Sequence, residues 1–105
     1  MTDPVQYFVG KNAKHNFELI DLAESHHLWF HVEGRPSCHI VVAFPIDLDR
    51  KSLRPIIKRG AVLCKQHSKY ASEKNLVITY ARICDVSKTD IMGTVEVQNA
   101  KTVVI

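Results

Sequence analysis

The side chains best suited to chemistry are a tryptophan and two histidines in the first half of the chain. Apolar and polar residues alternate along Leu28–Val32, which predicts a strand. Trp29 and His31 then share one face of that strand. If the turn at residues 33–37 joins it to the next strand, His39 lies opposite His31, and the three rings stand side by side.

This three-ring face has two interpretations. Exposed, it would be a platform on which unpaired bases stack and form hydrogen bonds. Alternatively, a helix covers it, and the histidines find partners inside the protein. The residue types alone leave both interpretations open.

No catalytic or metal-binding motif includes these residues. Cys38 and His39 are neighbours on a predicted strand, so they point to opposite faces and cannot form a dyad. His27 and His31 have the H-x₃-H spacing of metal ligands, but no second pair lies nearby in sequence. Phosphate-binding glycine loops and nucleophile elbows are also missing. We therefore expect a protein that is not an enzyme and holds no metal or cofactor.

Basic residues form two clusters that could bind an anion. Lys11, Lys14 and His15 fall at the start of a predicted helix, where backbone N–H groups already favour negative charge. The second cluster is a stripe on a later helix, whose members lie within about 60° of one another on a helical wheel. It consists of Lys51, Arg54, Lys58, Lys65 and Lys69. Solvent-exposed helix faces produce similar patterns, but this stripe contains no acidic residue.

The overall charge of +3 conceals an asymmetry between the two halves of the chain. Residues 1–49 carry three Lys or Arg and seven Asp or Glu, whereas residues 50–105 carry eleven and four. Such clustering of positive charge indicates an anionic partner.

Length and composition predict one soluble domain. The 105 residues can bury a single modest core, so residues 1–105 are taken as one domain. No apolar run approaches the roughly 20 residues of a membrane span, and residues 1–4 lack the features of a secretion signal. Cys38, Cys64 and Cys84 are few and dispersed, which predicts reduced core thiols and a cytoplasmic location.

Hydrophobic periodicity predicts an α+β fold, with a mostly antiparallel sheet and two main helices. The first helix is predicted to begin after Asn12, to bury Ala13, Phe17 and Ile20, and to end near Ala23. Six segments read as strands: 5–9, 28–32, 38–44, 76–83, 94–97 and 102–105. The last two should form a terminal hairpin, preceded by a polar connection at 85–92.

The second helix is the longer one. Ser52 is predicted as its N-cap because that start places Pro55 in the first turn, where no intrahelical donor is needed. Gly60 lies on the apolar face of this helix and therefore predicts close approach to the sheet. Phe30 should be buried beneath it.

The order of motifs resembles the NFACT-R domain, the RNA-binding domain of the tRNA-recruiting factors in ribosome-associated quality control. The resemblance extends from residue 7 to residue 105. It rests on Gly10-Lys11-Asn12-Ala13 with Asn16, Glu18 and Leu19, on Leu28-Trp29-Phe30-His31-Val32, and on Gly34-x-Pro36-Ser37-x-His39. The chain departs from the family at His27, which replaces an acidic residue, and at Ser37-Cys38-His39, which replaces glycine–serine–histidine. It is similar to the small stand-alone members.

The resemblance and the basic clusters together predict an RNA-binding module linked to translation or ribosome-associated quality control. Its partner would be tRNA or ribosomal RNA, and with them the ribosome. The residues expected at the RNA are Lys11, Lys14, His15, Trp29, His31, Arg35, His39, Arg54, Lys58, Lys65 and Lys69. The alternative is a protein-interaction adaptor whose basic helix docks an acidic partner.

Overall fold

The computed structural model describes residues 4–105 and confirms the predicted α+β class. Residues 1–3, on which the expectation of no secretion signal partly rests, lie outside the described residues. The elements are β1 (Gln6–Val9), α1 (Ala13–Leu22), β2 (Leu28–Val32), β3 (Ile40–Ala43), α2 (Arg50–Gln66), β4 (Val77–Arg82), a 3₁₀ turn (Ile83–Asp85), β5 (Val86–Lys88), β6 (Val95–Val97) and β7 (Lys101–Val104). Within residues 4–105, neither helix is both long and apolar enough to cross a membrane.

Five strands form one antiparallel sheet in the order β1-β3-β2-β4-β7. The predicted register between β2 and β3 is confirmed, because Trp29 lies opposite Val41. Period-two alternation places Phe30 and Ile40 on the face beneath α2, where both are completely buried. The tryptophan and histidine side chains therefore emerge on the other face.

Gly60 brings α2 close to this sheet, as predicted. A Cβ atom at this position would lie 2.6 Å from Cε1 and Cζ of Phe30, so only a hydrogen atom fits there. Buried Ala61 and Cys64 continue the contact. The glycine weakens the helix locally, but it allows the aromatic ring to fill the space between helix and sheet.

The predicted start of α2 is wrong. The N-cap is Asp49, whose side chain accepts a hydrogen bond from the Ser52 backbone N–H at 2.8 Å. Pro55 is therefore in the interior of the helix instead of its first turn. The carboxylate cap satisfies an otherwise unbonded N–H group, and this gain outweighs the one hydrogen bond that Pro55 cannot donate.

The predicted C-terminal hairpin is also wrong. The β6 strand pairs with β5, inside the segment predicted to be an irregular connection, and β7 pairs with β4 at the edge of the main sheet. Val103 on β7 packs against the core beneath α2, whereas Val95 and Val97 on β6 pack against the cluster on the opposite face. The two strands are neighbours in sequence, but their apolar side chains are buried on opposite faces of the main sheet. They therefore do not pair with each other.

Helix α1 and the β5–β6 ribbon cover the second face of the sheet. Their buried apolar side chains surround Trp29 and Val41, and Leu19 and Ile20 contribute from α1. The predicted N-cap Asn12 is confirmed, and Ala23 caps the other end. Two of the three side chains expected to be buried are not: Ala13 is exposed and Phe17 only half-buried. Asn16 is buried instead.

Candidate functional site

Four chain segments enclose a groove of about 1030 Å³ at one end of the sheet. They are the turn from β1 into α1, the β2–β3 connection, the three residues after α2, and the end of the β5–β6 ribbon. The ribbon rests on α1, since a Cβ atom on Gly93 would lie 2.6 Å from Cβ of Ala13. The groove is thus built from residues that are far apart in sequence.

Among residues 4–105, no aspartate or glutamate lines the groove. It contains three permanently charged cations, Lys11, Arg35 and Lys69, together with histidine and asparagine side chains. Ser37 and Ser68 add hydroxyl groups. A concave site with this composition favours an anionic ligand, because no described residue of its wall carries negative charge.

Trp29, His31 and His39 form one cluster of rings, as the register predicts. The ring planes of Trp29 and His31 are parallel, with centroids 5.7 Å apart. His39 stands perpendicular to both, at 5.3 Å from Trp29 and 5.2 Å from His31. The cluster forms part of the groove lining.

Burial decides between the two interpretations of this face. Trp29 is 3% exposed and His39 is also 3% exposed, because α1 and the ribbon cover them. The interpretation of Trp29 as an open stacking platform is therefore wrong, and for Trp29 the covered-face alternative holds. His31 is only half-buried and lines the groove, so of the three rings it is the one with an accessible flank.

The protonation state of His39 follows from its hydrogen bond. The indole Nε1–H of Trp29 donates to Nδ1 of His39 at 3.1 Å, and an indole N–H is only a donor. The neutral ring consequently carries its proton on Nε2. Burial, with a further contribution from His31, lowers the pKa of His39 to about 4, so the ring is neutral at pH 7. Burial also lowers the pKa of His31.

Asn16 lies in the groove, and the sequence reasoning did not include it among the site residues. Its Oδ1 accepts a hydrogen bond from the His39 backbone N–H at 3.3 Å, and its side chain lines the groove. Gly10 makes room for it, since a Cβ at position 10 would lie 1.7 Å from Oδ1 of Asn16. A polar residue on the buried side of an amphipathic helix, four residues before Ile20, was the available signal.

The predicted cluster at the start of α1 is divided. Lys11 lines the groove, whereas Lys14 and His15 do not. His15 is engaged locally: its Nδ1 accepts from the Lys11 backbone N–H at 3.0 Å, and its own N–H donates to Asn12. Lys14 is exposed on α1.

The predicted stripe of five cations is not one continuous helix face. Helix α2 ends at Gln66, so Lys69 lies beyond it, in the wall of the groove. Lys65 is half-buried, and its Nζ donates to the Ile105 carbonyl at 3.0 Å. The remaining members, Lys51, Arg54 and Lys58, are exposed on α2. Within residues 4–105 no acidic side chain forms an ion pair with any of them.

Arg35 is partly occupied by contacts inside the protein. Its guanidinium pairs with Glu73 and lies 4.6 Å from the centroid of the Tyr70 ring. These contacts hold the β2–β3 connection against the segment that follows α2. Arg35 is therefore fixed at the rim of the groove.

A second, smaller cavity of about 560 Å³ lies at the other end of α2. Arg54 lines it together with three further cations, Arg50, Arg82 and Lys101, and one acid, Asp85. Arg82 donates to the His26 carbonyl at 2.9 Å. Positive charge thus occurs at both ends of α2.

The structure brings together three side chains of the metal-ligand type that the sequence analysis did not connect: Glu24, His26 and His27. Their hydrogen bonds oppose metal binding. Nδ1 of His27 accepts from the Glu24 backbone N–H at 3.1 Å, so the proton of the neutral ring is on Nε2, which faces the Glu24 carboxylate at 3.5 Å. Nε2 of His26 bonds to the Phe44 carbonyl at 2.7 Å. His31, the predicted H-x₃-H partner of His27, is not in this group.

The three cysteines are free thiols in different environments. Cys64 is buried, Cys38 is half-buried and lines the groove, and Cys84 is exposed. The expectation of core thiols is therefore wrong for Cys84, which lies in the 3₁₀ turn that follows β4.

Comparisons with known proteins identify a fold and no family. No family model matches the chain, and no curated protein matches it. Among solved structures, it is similar to the C-terminal region of the fibronectin/fibrinogen-binding protein from Streptococcus suis, with a TM-score of 0.82 and 24% sequence identity. The match covers 96% of this chain and 40% of that chain, so this chain spans well under half of the solved one.

Proposed function

We propose that the protein is a non-enzymatic RNA-binding domain that takes an unpaired nucleotide into the groove. The observation that carries this proposal is the composition of the groove wall, which has three cations, imidazole and amide groups, and no carboxylate among the described residues. Nucleotides combine negative charge with a planar ring that carries hydrogen-bonding groups. Single-stranded RNA is recognised by such a combination of positive charge and buried ring contacts.

The exposed cations of α2 extend this site. The groove lies directly after the C-terminal end of the helix, and Lys58 and Arg54 follow toward its N-terminal end. Neither is engaged by an acidic side chain within the described part of the chain. We infer that a strand leaving the groove past Lys69 passes over the outer surface of α2, where these two residues neutralise its phosphates.

The resemblance to the NFACT-R domain supports tRNA or ribosomal RNA as the partner. It also supports a cytoplasmic role in translation or ribosome-associated quality control. The alternative partner, an acidic protein that docks on α2, would be attracted by the same positive charges. Its docking would leave the groove, which suits a planar ring, without a ligand.

The salt dependence of binding tests the role of α2. Each phosphate of a single strand that is neutralised contributes about −0.7 to the slope of log affinity against log salt concentration. Replacing Arg54 and Lys58 together by Gln should therefore flatten the slope by about 1.4 and weaken all RNA sequences similarly. Both side chains are exposed, so the free energy of unfolding should change little. The measurement is fluorescence anisotropy with labelled tRNA at several salt concentrations.

A matched control carries Gln at Lys74 and Lys88, which removes the same charge elsewhere. Lys74 is exposed, and Lys88 pairs with Asp21 on α1, so neither belongs to the α2 surface. An equal loss of affinity and slope in both double variants would contradict a specific role for α2. Association in cell extracts that survives RNase treatment would instead favour the protein-adaptor alternative.

A further inference from the structure

Two hydrogen-bond donors at the floor of the groove have no partner among residues 4–105. The Oδ1 of Asn16 is used by the His39 backbone, but no described residue accepts a hydrogen bond from its Nδ2. The Nε2–H of His39 likewise donates to no described residue. Asn16 is 7% exposed and His39 is 3% exposed.

These donors reach the space of the groove. Within residues 4–105, no side-chain nitrogen or oxygen that is sealed from solvent lacks a hydrogen-bond partner. The two unbonded atoms are therefore accessible, and both residues line the groove. An unused donor at a nearly buried position is costly unless a ligand or water accepts from it.

The floor and the rim of the groove have different chemistry. Asn16 and His39 are neutral at pH 7, and they lie beside the apolar surface of Trp29. The permanent charges, Lys11, Arg35 and Lys69, belong to exposed residues. Phosphates are best held at the charged and hydrated rim, whereas neutral donors at nearly buried positions suit the uncharged acceptors of a base.

We propose that the floor of the groove recognises an unpaired guanine, whose O6 and N7 accept hydrogen bonds from Asn16 and His39; this inference rests on the proposed RNA-binding function. Guanine offers these two acceptors side by side. Adenine places its N6 amino group beside N7, and that donor would face a donor of the protein. In uracil the two carbonyl oxygens are separated by an N–H group. The accessible flank of His31 then borders the base, and the lysines of the rim hold the flanking phosphates.

Modified bases test this assignment without altering the protein. Oligoribonucleotides of about eight residues would carry uridine throughout except for one central base, a length within the range of single-strand sites. Guanine and inosine, which both have O6 and N7, should bind at least roughly tenfold more tightly than adenine at that position. 7-Deazaguanine, which lacks the N7 acceptor, should lose most of that preference.

Asn16→Asp provides the matching change in the protein. It keeps the oxygen that accepts from the His39 backbone and replaces the amide donor by an acceptor, so the preference for guanine over adenine should disappear. Lys69→Gln is the contrasting variant: it should weaken every oligonucleotide alike and leave the preference intact. If Asn16→Asp fails to fold, as circular dichroism would reveal, the 7-deazaguanine comparison with the unaltered protein still decides.

The measurements distinguish a failure of the guanine assignment from a failure of the RNA-binding proposal. If all central bases bind equally, with the salt dependence expected of phosphate contacts, the guanine assignment is overturned and RNA binding stands. The guanine assignment is likewise overturned if 7-deazaguanine binds as tightly as guanine. If none of the oligonucleotides nor tRNA binds, both proposals fail.

Discussion

His39 is the residue on which most of the site depends. It accepts from Trp29, its backbone donates to Asn16, and its ring contacts His31 edge-on. The hydrogen bond from Trp29 requires a neutral His39 ring, and the other two contacts are compatible with one. Protonation would place a second donor against the indole N–H, so acid should disturb the floor of the groove as well as the stability of the fold.

The lowered pKa of His39 makes the stability of the fold depend on pH. The unfolded chain binds a proton near pH 6.5, whereas the folded protein does so only near pH 4. Stability from this group is therefore complete above pH 6.5 and is lost as the pH falls toward 4. Between pH 7.5 and pH 5 the free energy of unfolding should fall by about 2 kcal/mol from His39 alone, measured by urea denaturation.

His39→Asn is the control for this prediction. Its amide oxygen can still accept from Trp29, but it does not titrate in this range. The variant should be less stable at pH 7.5 because it fills less space, yet it should lose less stability on acidification. An unchanged pH dependence would show that other groups, such as His31 with its lowered pKa, account for the effect.

Residue patterns in the sequence predicted where the three rings stand but not how exposed they are. Alternation with a period of two predicted that Trp29 pairs with Val41, and thus on which face of the sheet each ring lies. Exposure depends on what covers that face, and the β5–β6 ribbon reaches it from a distant part of the sequence. Local periodicity carries no information about such a contact.

At the scale of elements, α2 illustrates how caps and packing compete with propensity. The carboxylate of Asp49 begins the helix three residues earlier than the proline rule predicts. Gly60 was predicted correctly because a glycine in the apolar face of a helix has few explanations other than close packing. The C-terminal hairpin was predicted wrongly because short loops usually join paired strands, and only the tertiary context assigns β6 and β7 to different faces.

Gly60→Ala tests the close packing of α2 against β2. Alanine favours the helix by up to about 1 kcal/mol, but its Cβ would overlap the Phe30 ring, and overpacking costs about 1–3 kcal/mol. We expect net destabilisation in urea denaturation. Lys58→Ala, an exposed position on the same helix, should change the free energy of unfolding by less than about 0.5 kcal/mol. A more stable Gly60→Ala protein would contradict this description of the interface.

At the scale of the whole molecule, two apolar clusters on opposite faces of one sheet hold the fold together. The Glu24, His26 and His27 group lies outside both clusters and is already hydrogen-bonded. A metal ion bound by these three side chains would have to break the contacts that His27 makes with Glu24. The stability of the molecule should accordingly not depend on a metal ion.

Protein purified without added metal should therefore contain no stoichiometric zinc by elemental analysis. Its Tm should be the same with and without EDTA. A Tm that falls in EDTA and recovers with zinc, together with loss of this response in His26→Ala, would assign the group a structural metal instead.

The walls of the groove come mainly from connections between elements, while its floor combines Trp29 and His31 of β2, Asn16 of α1, and His39 directly before β3. Connections tolerate substitution and insertion far better than packed elements do. The tip of the β2–β3 connection, residues 33–36, and the ribbon turn can thus change length or charge one at a time while the hydrogen-bonded floor of Asn16 and His39 persists. Over evolutionary time, this separation lets one scaffold acquire new ligand preferences by small steps, each of which leaves a folded protein.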